Sequence, residues 1–196
     1  MGQILKFLSA TAVVSTLALS GCQTTKETLQ IGEAAERNPG PCPRAFSLYD
    51  AARIVEFRGE RQTFANVGFT GEIAYVRSLC RYYGEQPIVG DVEITFDLGR
   101  GPAAEGQETA VYEYFVALTR KNIAVMNKQV FPMEVTFPAG KDRVRVTEKI
   151  DEFKIPRASE GTSGENFEII VGFNVTPEQR QFNAEGKRFR VSVGQK

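Results

Sequence analysis

The 196-residue chain contains no histidine and no tryptophan. The absence of histidine excludes Ser-His-Asp and Cys-His catalysis and most zinc and copper sites, which depend on imidazole. The absence of tryptophan removes the aromatic surface that many carbohydrate and quaternary-amine sites use. We therefore predict a protein that is not an enzyme and that holds no cofactor and no metal. Chemistry based on paired carboxylates stays open as an alternative.

The charge is balanced, with 24 Lys and Arg against 24 Asp and Glu. Nucleic-acid-binding proteins concentrate basic residues on one face, and no such excess exists here. We predict no nucleic-acid partner.

The first residues have the order of a secretory signal peptide. Lys6 is followed by a mostly apolar run over residues 7–19, and then by the small residues Ser20 and Gly21 and by Cys22. The run is shorter than the roughly 20 residues that a transmembrane helix needs. A cleaved signal peptide over residues 1–21 is therefore favoured.

Leu19-Ser20-Gly21-Cys22 resembles the lipobox of bacterial lipoproteins. The resemblance implies cleavage before Cys22, lipidation of its thiol and acylation of the new amino terminus, so that the acylated Cys22 holds the chain in a lipid bilayer. Gln23, where an Asp would favour retention in the inner membrane, implies the periplasmic face of the outer membrane. The rest of the chain is similar in character to proteobacterial envelope lipoproteins without an assigned activity. An ordinary signal peptide with a chance cysteine is the alternative.

Two cysteines remain, Cys42 and Cys80. In the oxidising periplasm an even pair is expected to form a disulfide. The bridge would close a loop of ~39 residues and contribute ~4 kcal/mol by restricting the unfolded chain. We predict that it fixes the first segment of the domain to a sheet. A redox role is the alternative, although the chain has no Cys-x-x-Cys motif.

The mature chain divides into a tether and one domain. Residues 22–41 are polar and end in a Pro/Gly cluster, which is typical of a linker. Residues 42–196 have the length and apolar content of a single domain.

Apolar residues alternate with polar ones through most of the domain, which predicts strands with one buried face. In residues 91–98, Val92, Ile94, Phe96 and Leu98 share one face. Further strands are predicted within 52–59, 71–80, 110–120, 129–138, 142–156, 166–175 and 187–193. A change of phase between Ile150 and Phe153 predicts a β-bulge, and Pro132 predicts a split into two edge segments.

The fold class predicted from this pattern is all-β: an antiparallel β-sandwich, immunoglobulin-like only in general style. One short helical turn is expected at 176–183, capped by Thr176 and with Pro177 in its first turn. The Gly-rich stretch 99–106 is predicted to be a hairpin loop rather than a phosphate-binding loop, and Ser163 is placed in a loop.

Three groups of residues are candidate sites. Asp91, Glu93 and Asp97 alternate on one strand, where solvated acids are more usual than a catalytic pair. Residues 121–138 contain two of the three methionines and are predicted to be core and edge strand rather than a binding groove. Arg and Tyr are enriched at interfaces, and a possible interaction surface is formed by Arg77, Arg81, Tyr82 and Tyr83. The favoured alternative is that Tyr82 and Tyr83 cover the end of a sheet and that the two arginines are solvated.

The favoured hypothesis is a membrane-anchored periplasmic lipoprotein that acts as a non-enzymatic interaction or structural module, with an envelope protein as partner, bound through a sheet edge or the Arg/Tyr surface. The first alternative is a domain that binds a small ligand or a glycan, which requires a pocket. The second is a hydrolase with two acids across a cleft.

Overall fold

Eight strands and one short helix form the part of the chain that a computed structural model describes, residues 38–189. The predicted signal peptide, Cys22 and most of the tether lie outside the described residues. The strands are β1 Arg44–Ser47, β2 Arg53–Phe57, β3 Val67–Arg81, β4 Ile88–Arg100, β5 Thr109–Arg120, β6 Ala124–Thr136, β7 Arg143–Ile155 and β8 Phe167–Phe173. Short 3₁₀ turns cover Tyr49–Ala51, Phe64–Asn66, Pro102–Ala104 and Gly164–Asn166.

The strands form two four-stranded sheets, which confirms the predicted β-sandwich. Sheet A has the order β1-β8-β5-β6 and sheet B the order β2-β3-β4-β7. All neighbours are antiparallel except β1 and β8, which run parallel. The chain crosses from sheet B to sheet A between β4 and β5. The prediction of a hairpin loop at 99–106 is therefore wrong, because β4 and β5 do not pair.

Aromatic side chains fill the space between the sheets. The Phe96 ring lies 5.1 Å from Tyr114 and 5.6 Å from Phe173, measured between centroids. Phe96 and Phe173 are fully buried. Burial of the inner faces of both sheets follows directly from the alternation in the sequence, because successive side chains of a strand point to opposite faces.

Helix α1, Pro177–Ala184, confirms the predicted helical turn. The Thr176 hydroxyl accepts a hydrogen bond from the Gln179 N–H, and the Gln179 side chain accepts one from the Thr176 N–H, which is a capping box. Phe182 is the buried side chain through which the helix packs on Val55 and Val67, on the outer face of sheet B.

The strand predicted at 187–193 is not present in its described part, since residues 187–189 are not in a strand. Its remaining residues lie outside the described part of the chain. β1, by contrast, was not predicted, and it pairs along its whole length with β8.

Pro132 does not split its strand. β6 is continuous from Ala124 to Thr136 and pairs only with β5, so it is an edge strand as predicted. A proline is tolerated there when its ring nitrogen faces away from the neighbouring strand and no ladder hydrogen bond is lost.

The predicted bulge in β7 is confirmed. Gly90 lies opposite Phe153 and Val92 lies opposite Ile150, so that Asp91 faces two residues of β7. One of these two residues, Glu152, has φ 58°, in the left-handed region. Its N–H donates to an Asp91 carboxylate oxygen at 3.3 Å.

Replacement of the exposed Glu152 by glycine is expected to raise the free energy of unfolding. A left-handed conformation costs a residue with a Cβ about 1–2 kcal/mol, whereas glycine adopts it freely at an entropic cost of about 0.5–1 kcal/mol. Urea unfolding should show a net increase of about 0.5–1 kcal/mol in the free energy of unfolding. Lys154→Gly, two residues further along β7, is the control and should be destabilising.

Candidate functional site: the open seam between the sheets

The two sides of the sandwich are closed differently. On one side, which we call the closed seam, Cys42 before β1 and Cys80 in β3 form the predicted disulfide, with a Cα–Cα distance of 5.6 Å. Close by, the Ser78 hydroxyl donates to the Pro43 carbonyl at 2.6 Å. The bridge thus joins sheet A to sheet B along this side.

The segment before β1 is packed around Tyr82. The Tyr82 hydroxyl donates to the Pro41 carbonyl at 2.9 Å and accepts from the Gly164 N–H at 3.0 Å, and the Arg157 guanidinium lies 4.9 Å from the ring centroid. The Tyr82 N–H donates to the Asn38 side chain at 3.0 Å. Tyr82 is 1% exposed, so its place in the predicted interaction surface is wrong. It packs in the interior because its hydroxyl has partners there.

The other members of that surface do not converge on one site. Arg77 donates to Glu93 at 2.7 Å across β3 and β4, and this hydrogen bond and charge raise the pKa of Arg77. Arg81 and Tyr83 are exposed. An exposed ion pair such as Arg77–Glu93 contributes little to stability, and the four residues do not form one surface, because Tyr82 is buried.

The acids of β4 are matched by cations on the neighbouring strands. Asp97 accepts two hydrogen bonds from Arg145, at 2.7 and 2.9 Å. Asp91 lies 3.4 Å from the Lys149 amine. Together with the Arg77–Glu93 pair, these contacts place acids beside cations rather than opposite each other. The outer face of sheet B is therefore a cross-strand ion-pair surface.

On the opposite side lies the open seam, between the edge strands β6 and β7. A cavity of about 300 Å³ opens there between the sheets. Its apolar lining comes from Val92, Val116, Leu118, Phe131, Ile150, Phe153 and Ile169, and its polar lining from Asn127, Gln129, Asp151, Glu152 and Lys154. A concave apolar space with a few polar groups at its rim is the usual form of a binding site.

Polar residues stand at core-facing positions of both edge strands. Asn127 and Gln129 are in register with Leu118 and Val116, and Glu148 is in register with Ile94. Burial and, to a lesser extent, the charge of Glu148 raise the pKa of Tyr114, in the adjoining core, to about 12. These polar positions explain why the sheets do not close by apolar packing along this side.

The first half of β6 and the turn before it are fully on the surface. Every residue of 121–130 is exposed, with Ile123 at 68%, Val125 at 63%, Met126 at 45% and Val130 at 46%. The prediction of core and edge strand is confirmed from Ala124 onward: the exposed residues as far as Val130 belong to the edge strand β6, and Met133, Val135 and Phe137 are buried in the core. Large apolar side chains gathered on an edge strand are typical of a binding surface.

The free backbone edge of β6 can be located from Pro132. A proline in an edge strand directs its nitrogen away from the neighbouring strand. The backbone groups of every second residue point to the same side, so Lys128 and Val130 also direct their N–H and C=O groups away from β5. These groups form the free edge of sheet A beside the open seam and are the ones that an added strand would bind.

The sequence contains a signal for this site. Asn127 and Gln129 interrupt the apolar positions that continue at Phe131, Met133 and Val135. In a strand that is otherwise regular, polar residues on the inner face indicate that the end of the strand is not covered by core.

Within residues 38–189, we find no group of Cys, Asp and Glu side chains that could hold a metal ion. The described helix is also far too short and polar to cross a bilayer. Comparisons with known proteins give no assignment, since no protein-family model, no curated protein and no solved structure matches this chain.

Proposed function

We propose that this chain is a lipoprotein, anchored through Cys22 in the outer membrane with its domain in the periplasm, and that it binds an extended segment of an envelope protein at the open seam. The partner segment adds to the free edge of β6 and places an apolar side chain in the cavity. The observation that carries the proposal is an edge strand with an exposed apolar half that borders an open apolar cavity.

Strand addition accounts for both parts of the site. Main-chain hydrogen bonds to Lys128 and Val130 supply affinity, and a pocket that takes alternate side chains supplies specificity. On the β6 side the residue that offers a charge to the partner is Lys128, whereas β7 contributes Asp151 and Glu152, so an acidic residue of the partner segment fits beside Lys128. No catalytic step is needed for this role.

The anchor has separate support. The lipobox-like Leu19–Cys22 provides the lipidation site, and the Cys42–Cys80 disulfide fits an oxidising compartment such as the periplasm. Mass spectrometry of the purified protein should show three acyl chains on Cys22, and Cys22→Ser should release the protein from membranes.

Photocrosslinking in living cells tests the docking site. A benzoylphenylalanine at Gln129, in the open seam, should give one discrete adduct, and the same group at Thr147, on the ion-pair face, should give none. Val130→Pro should lower the yield at least tenfold, because it removes an edge donor and adds a bulky ring. Val130→Ala is the matched control and should keep the adduct. A yield that Val130→Pro leaves unchanged would refute strand addition.

A second candidate, a small apolar ligand in the seam, is favoured by the cavity itself. Its volume and apolar floor suit a short hydrocarbon chain with a polar end beside Asn127 or Lys154. Solvent extraction of the purified protein followed by mass spectrometry would then yield one apolar compound per chain, and crosslinking at Gln129 would give no protein adduct.

A further inference from the structure

The β5–β6 turn lies at the same end of the sandwich as the beginning of the described chain. The Lys121 N–H donates to the Asn166 carbonyl at 2.9 Å. Two residues before Asn166, Gly164 bonds to Tyr82, and Tyr82 bonds to Asn38. We call this end the proximal end; the β6–β7 turn at Lys141 marks the distal end.

Fifteen residues separate Cys22 from Asn38. Whatever its conformation, a segment of this length spans at most about 55 Å. If Cys22 sits in a bilayer, as the proposed function requires, the proximal end stays within this distance of the membrane surface. The effective concentration of lipid at that end is then high, so that weak contacts are populated.

The β5–β6 turn has the composition of a segment that enters a membrane interface. Ile123 and Val125 are 68% and 63% exposed, and Met126 beside them is 45% exposed. Arg120 and Lys121 flank them, and the nearest acids along the chain are Glu113 and Glu134. Apolar side chains next to cations bind at the boundary between headgroups and acyl chains, with the cations paired to phosphates.

The turn is also held in shape. Asn122 has φ 57°, and the Ile123 N–H donates to the Arg120 carbonyl at 3.0 Å. With the Lys121–Asn166 hydrogen bond, the loop is fixed to the body of the sandwich, and its apolar side chains are presented to solvent at the proximal end of sheet A, where β5 is paired with both β6 and β8.

From this arrangement we infer that the β5–β6 turn docks on the membrane that anchors the chain, with Ile123 and Val125 in the headgroup region and Arg120 and Lys121 on lipid phosphates. The inference rests on the proposed anchor. Docking would orient the sandwich upright, with the free edge of β6 rising from the bilayer toward a periplasmic partner.

The first test uses the acylated protein in vesicles of phosphatidylethanolamine and phosphatidylglycerol. An environment-sensitive fluorophore is attached through Ile123→Cys or, as the distal control, Lys141→Cys. The label at 123 should shift to the blue and be quenched at least threefold more by a lipid-borne quencher than the label at 141. Equal behaviour of the two labels would overturn the inference. So would a label at 123 that is shielded from water but not quenched from the lipid, since a protein would then cover the turn.

The second test does not depend on acylation. The chain without residues 1–21 and with Cys22→Ser should sediment with the same vesicles at low salt, and less with phosphatidylcholine alone. Ile123→Asp should reduce the partition at least tenfold, whereas Val111→Asp, equally exposed at 67% near the distal end, should not change it. Equal partition of the two variants would refute docking. If Cys22 proves not to be acylated but Ile123→Asp still lowers the partition, the proposed anchor is wrong and the lipid contact of the turn stands.

Discussion

Replacement of both Cys42 and Cys80 by alanine is expected to lower the free energy of unfolding by about 3–4 kcal/mol. The bridge spans a sequence separation of 38 residues, and a loop of this size restricts the unfolded chain by about that amount. For a domain of about 150 residues the midpoint of thermal unfolding should fall by about 10 °C. Urea unfolding at neutral pH measures the loss directly.

Few other contacts hold the segment before β1, so little should compensate for the loss of the bridge. β1 has only four residues and one sheet neighbour, β8. Without the bridge, the segment that leads to β1 is held by a few hydrogen bonds: from Ser78 to Pro43, from Tyr82 to Pro41 and Asn38, and from Asn38 to the Cys80 carbonyl. Each such bond contributes about 1 kcal/mol net, which is comparable to the cost of ordering one residue.

Two controls make this result specific. Wild-type protein in reductant should match the double variant, and reductant should leave the double variant unchanged. Arg77→Ala, which breaks the exposed ion pair with Glu93 on the strand that carries Cys80, should lower the free energy of unfolding far less than the double variant does. A loss below about 1 kcal/mol in the double variant would show that the closed seam is held by packing and hydrogen bonds instead.

The strands were predictable because their signal is local. In β4, Val92, Ile94, Phe96 and Leu98 face the core, just as the alternation in the sequence required. The same holds for the capping box at Thr176, whose two partners lie three residues apart. The bulge at Glu152 was also visible, because an extra residue shifts the apolar phase.

Features that depend on distant residues were not predictable. Tyr82 and Tyr83 are identical in type, and only the positions of Pro41 and Gly164 make the first a buried residue and the second a surface one. Likewise, the loop after Arg100 has the same composition as a hairpin, and its crossing to the other sheet depends on which strands pair.

The candidate site belongs to this second class. Neither Gln129 nor Glu148 identifies a cavity by itself, because a polar residue at a core-facing position of an edge strand is also a common protection against aggregation. The site exists because the edge strand of sheet A, β6, and the edge strand of sheet B, β7, lie on the same side of the sandwich. The sequence of either strand alone does not reveal this.

The core is closed beside one seam and open beside the other, so the same kind of substitution should lower the free energy of unfolding by different amounts at the two places. Phe173→Ala should lower the free energy of unfolding by about 4 kcal/mol, because Phe173 is fully buried and surrounded by Phe96, Tyr112 and Gly71. Its removal leaves a closed cavity whose lining loses contacts outright.

Phe131→Ala should cost much less, about 1–2 kcal/mol. Phe131 stacks on Tyr114 with 5.3 Å between ring centroids, yet it is only partly buried and borders the open seam. The space it leaves joins a cavity that already opens to water, so no new closed void forms and only part of its apolar surface is returned to solvent.

Urea unfolding of the two variants tests this difference. The slopes of free energy against urea concentration should be equal, which shows that the denatured states are alike. If Phe131→Ala lowers the free energy of unfolding by half as much as Phe173→Ala or less, the core beside the open seam is loosely packed and an added segment can fill it. Such a segment should then stabilise the wild-type protein by an amount that grows with the logarithm of its concentration above the dissociation constant. Equal losses at the two positions would mean that the seam is packed core, and the proposed docking of a partner strand would lose the space it needs.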